Sequence, residues 1–114
     1  MDGKTELRVY QFAVQAGKRS LRPVNVGTIE ASSRKSRHSR GDLYVLLETP
    51  QTSQLPDPLC RQLISVIADT YYDTSGSITR GLRTALLRAN EMLFEQNLRA
   101  DVQRRCVAGL NCAV

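Results

Sequence analysis

An α+β fold, a mostly antiparallel β-sheet with a two-helix antiparallel hairpin on one face, is what this sequence predicts, and three observations carry it. Ser77 to Leu98 is the longest stretch with one unbroken helical periodicity. Ahead of it, the stretch from Leu59 to Tyr71 repeats apolar residues at the same spacing. Only Asp73-Thr74-Ser75-Gly76-Ser77 separates the two, a connection of the length expected between antiparallel helices. Strand candidates fall at the two ends of the chain, three before the helices and one after. Strands segregated from helices argue against a parallel βαβ repeat, and no internal repeat is visible.

In chain order, Glu6 to Val14 carries Leu7, Val9, Phe12 and Val14 among polar neighbours, a β-compatible alternation. Gly17 to Ser20 reads as a basic turn, and Val24 to Ile29 as a short strand interrupted by Gly27. Ala31 to Arg40 shows no apolar periodicity and is expected to be a basic, solvated loop. Gly41-Asp42 then opens Leu43 to Leu47, whose brevity and unbroken apolar character favour a buried central strand over a helix. Three of the four prolines sit in Thr49 to Pro58, and proline has no donor for a sheet ladder, so this is a loop.

Asp57-Pro58 reads as a helix start, with the acid at the N-cap and proline at the first helical position. The first helix gathers Leu59, Leu63, Val66, Ile67 and Thr70 on one face, widened by Cys60, Ile64 and Tyr71. On the second, at about 100° per residue, Ile78, Leu82, Ala85, Leu86, Ala89, Met92 and Leu93 form the core stripe. Leu87, Phe94 and Leu98 lie about 180° from it and have no evident cover in the chain. Cys106 to Val114 reads as the beginning of a last strand, with no turn signal after it.

With 114 residues the chain has room for a single module spanning residues 1–114. The net charge is +5, and four of those charges, Arg34, Lys35, Arg37 and Arg40, fall within seven residues that contain no acid. Such a cluster suggests binding to the phosphate backbone of a nucleic acid or to anionic lipid. It lacks the interleaved aromatics of sequence-reading modules, and the alternative is a solvated loop. Ser32, Ser33, Ser36 and Ser39 lie in the same segment, where phosphorylation would reverse the local sign. Cys60, Cys106 and Cys112 form no CxxC pair, and His38 is the only histidine, so a zinc site is not indicated. Unpaired cysteines and the lack of an apolar run of about 18 residues point to a cytoplasmic protein outside the membrane.

The order of elements and two local patterns resemble the N-terminal portion of the metal-dependent type-2C (PPM-type) serine/threonine phosphatases. Arg22-Pro23-Val24-Asn25-Val26-Gly27 stands where that family has Arg-x-x-Asn-Glu-Asp. Leu43 to Pro50 stands where a strand runs into Asp-Gly-Met-Gly-Gly. Leu86-Leu87-Arg88-Ala89-Asn90-Glu91 is similar to the family's alanine-asparagine turn in the second helix, and Gly109 to Val114 to its Gly-Thr-Thr strand. The resemblance covers most of this chain and about half of a complete domain of that family. It implies a partial phosphatase-2C-like sandwich, with Arg22 in the phosphate-contacting position.

The departures bear on catalysis. The family's two cations are held by a cluster of carboxylates and generate a hydroxide nucleophile. Here Val26 and Gly27 replace both acids of the first motif, and Glu48 replaces the bridging aspartate, with Thr49 after it. Glu48 is then either a remnant cation ligand or a solvated acid at a strand end. No catalytic residue is assigned, and no cofactor is expected unless further ligands lie beyond Val114, in which case Mn or Mg is implied. Three functions follow: an inactive phosphatase-like module working through a protein partner or a second copy of itself, an active phosphatase fragment, and a small nucleic-acid-binding protein using residues 34–40. The Leu87, Phe94 and Leu98 face and the last strand are the expected interaction surfaces.

Overall fold

The computed structural model describes residues 13–15, 18–20, 23–49, 55–101 and 104–114. Strands β1 (Ala13–Gln15) and β2 (Lys18–Ser20) pair antiparallel as a small ribbon. Three further strands, β3 (Val26–Ile29), β4 (Leu43–Glu48) and β5 (Gly109–Ala113), form an antiparallel sheet in the order β3-β4-β5. Between β4 and β5 the chain makes two helices, α1 (Asp57–Asp73) and α2 (Ile78–Arg99). The α+β class with a helical hairpin is therefore what the chain adopts. The topology is simple to rationalise: two helices that reverse on each other return the chain beside β4 in the opposite direction, so β5 pairs antiparallel without a crossover.

β4 is the central strand, as its apolar run predicts. Leu43, Val45 and Leu47 are buried while Tyr44 and Leu46 are only half-buried, the period-two pattern of a sheet with helices on one face. The helix-facing side meets Leu59, Leu63, Ile67, Ala68, Tyr71 and Tyr72 of α1 in one core cluster. β3 approaches α1 at a glycine. A Cβ on Gly27 would lie 2.6 Å from Ile64 Cγ2. Asn25 lengthens the β3–β4 pairing beyond the strand, because its side-chain amide donates to Leu47 O at 3.0 Å while its own carbonyl accepts from Leu47 N at 2.8 Å.

Several boundaries differ from expectation for identifiable reasons. Lys18–Ser20, expected within a turn, is a strand; its three polar residues carry no apolar face to advertise it. Of the strand expected over Glu6 to Val14, residues 6–12 lie outside the described residues. The N-cap of α1 is Pro56 and not Asp57, which sits in the first turn with Pro58. Both proline positions are tolerated, since the first N–H groups of a helix have no intrahelical partner. The last strand begins at Gly109, three residues after Cys106.

The core stripe of α2 is the main correction. Its buried line is Gly81, Ala85 and Ala89, flanked by Leu82, Met92 and Leu93, whereas Ile78 and Leu86 of the expected stripe are exposed. Small residues at i, i+4 and i+8 let the two helices approach closely, so α2 docks through its smallest side chains and turns some larger ones outward. α2 begins on Ser77, whose hydroxyl accepts from Arg80 N at 3.1 Å. Gly76 before it has φ +104°, a left-handed conformation that the sharp turn between the helices requires.

Candidate functional site: the basic segment at the end of helix α1

Helix α1 ends badly by its own sequence. Its last turn contains no basic residue and closes on Asp73, an acid at the negative end of the helix dipole. The carbonyls of that turn need donors from elsewhere. Thr74 supplies two, its N–H at 3.0 Å and its hydroxyl at 2.6 Å, both to Thr70 O.

The remaining donors come from the basic segment. Residues 31–40, expected to be a solvated loop, fold into two 3-10 turns, Ala31–Ser33 and His38–Arg40. Ser32, Ser33, Lys35 and Ser39 are exposed as that expectation has it, but Arg40 is buried. The Arg40 guanidinium donates to Tyr71 O, to Gly76 O at 2.9 Å and to Ser77 O at 3.3 Å, tying the end of α1 to the turn and to the start of α2. It also stands over the Tyr71 ring, 5.1 Å from the centroid. Arg37, in the left-handed region at φ 51°, donates from Nη1 to Tyr72 O at 3.1 Å, and Ser36 Oγ donates to the same carbonyl at 3.2 Å. Arg34 forms an ion pair with Asp69 at 2.5 Å and lies 5.4 Å from the Tyr72 ring centroid.

Two tyrosines complete the arrangement. Tyr72 donates its hydroxyl to Gly41 O at 2.7 Å, fastening α1 to the chain just before β4. Asp42 accepts from Ala31 N at 2.8 Å, closing the other end of the segment onto the sheet. Tyr71 is fully buried, and its hydroxyl has no hydrogen-bond partner among the described residues. Burial pushes both phenol pKa values up, with Arg40 opposing the shift at Tyr71 and the Tyr71 and Asp42 groups adding to it at Tyr72. Tyr72 and Gly81 were not singled out from sequence as parts of any site. The available signal was a helix ending without a cation, in a chain that carries a dense cluster of cations at residues 34–40.

The other predicted residues lie apart from this cluster. Glu48 is exposed at the end of β4, opposite Gly109 of β5. Asp42, the acid at the other end of the strand, is six residues away, about 20 Å along an extended chain, and is already occupied by Ala31 N. Among the described residues no three of His, Cys, Asp and Glu converge as cation ligands. Arg22 lies outside the described residues.

Cys60 and Cys106 are buried, and Cys112 is half-buried. Burial pushes the Cys60 and Cys112 thiols up, at Cys60 with help from Asp57, which keeps both protonated and poorly nucleophilic near neutrality. Between β3 and α1 runs an open cleft of about 410 Å³ lined by Val24, Val26, Ile29, Ile64 and Ala68 together with Arg34 and Arg61. Leu87, Phe94 and Leu98 are exposed on the outer side of α2, by 56%, 61% and 65%. No described helix is long and apolar enough to cross a membrane.

No protein-family model, no curated protein and no solved structure matches this chain.

Proposed function

We propose that this chain is a phosphatase-2C-like module without a competent metal site, and that it acts through protein contacts. The observation that carries the reading is the isolation of Glu48: the one acid at the position of the family's bridging ligand has no second and third carboxylate converging on it among the described residues. A two-cation hydrolase needs several carboxylates around one point. The exposed apolar residues of α2 support the contact half of the reading, since three large apolar side chains on one helix face stand in water.

The nucleic-acid reading draws less support. Arg34, Arg37 and Arg40 spend their guanidinium groups on Asp69 and on backbone carbonyls, which leaves Lys35 as the exposed cation of the four. The test is hydrolysis of p-nitrophenyl phosphate with manganese. Turnover indistinguishable from buffer is expected; turnover that rises with manganese and disappears in Glu48→Ala would overturn the reading.

A further inference from the structure

We draw no further inference here: the strongest candidate, the exposed apolar patch of Leu87, Phe94 and Leu98 on the outer face of α2, carries nothing, because nothing in the structure shows what covers it.

Discussion

Replacing Arg40 by methionine is the most informative single perturbation of this fold. The substitution keeps length and apolar stem but removes a buried guanidinium bonded to Tyr71 O, Gly76 O and Ser77 O. The three bonds do not count equally. Ser77 O also accepts from Gly81 N at 3.0 Å, and Gly76 is exposed, so both carbonyls have other partners or water after the change. Tyr71 O does not, because the guanidinium occupies its buried environment. A hydrogen bond to a charged group contributes about 1.5–3 kcal/mol, a cation at a partly buried helix C-terminus up to about 2, and a desolvated cation over an aromatic ring about 0.5–2. These overlap, since one group makes them all. Allowing for that overlap and for the desolvation cost that the arginine no longer incurs, the loss should be about 3 kcal/mol. For a chain of this size that lowers Tm by about 12 °C.

Urea unfolding followed by circular dichroism at 222 nm measures it. Arg40→Lys should recover part of the loss, because a point charge reaches the carbonyls without the planar fork. Lys35→Ala, in the same segment but exposed, should stay within about 0.5 kcal/mol of the parent. If Arg40→Met were as mild as Lys35→Ala, the account of the basic segment as the cap of α1 would be wrong.

Other consequences are as specific. Gly81→Ala would gain about 1 kcal/mol of helix propensity on an open helix, but here the new Cβ meets Arg40 Nη1 at 2.6 Å and Tyr71 O at 3.3 Å, so a net loss of about 1–3 kcal/mol is expected by chemical denaturation. Asn97 clasps Cys106 in both directions, Nδ2 to the carbonyl and Oδ1 from the N–H, each at 2.8 Å; Asn97→Ala should cost about 1–2 kcal/mol and raise hydrogen exchange first at the end of α2 and in β5. Tyr71 and Tyr72 have raised pKa values in the folded protein, so their stabilising protonated form is fully present below about pH 10, where the unfolded phenols begin to ionise, and is lost as pH rises through the folded values. Stability measured by urea midpoint should accordingly fall above about pH 10, and Tyr72→Phe should flatten that fall.

How far the fold could be read from the sequence varies with the kind of signal each residue carries. β4 and the helical hairpin were legible because Leu43 to Leu47 and the two amphipathic stretches each repeat with a period that only one element satisfies. The rotation of α2 was not, because hydropathy weights Ile78 and Leu86 above Gly81, while close helix packing selects the smallest side chain. The burial of Arg40 within the basic segment was not legible for a related reason. A run of arginines without periodicity looks solvated, and its burial depends on carbonyls at Tyr71 and Tyr72 that are more than thirty residues away. Glu48 was located correctly as a strand end, but whether other carboxylates share its surroundings is a long-range fact that spacing along the chain does not encode.

Metal binding tests the central claim more directly than turnover does, because it does not depend on choosing a substrate. The free Mn²⁺ signal in electron paramagnetic resonance, followed as the full chain is added, reads it. The expected result is a signal that the protein does not reduce, and that is the same with Glu48→Ala, since a lone carboxylate holds such a cation only weakly. Loss of the signal at one or two cations per chain, restored by Glu48→Ala, would contradict the account.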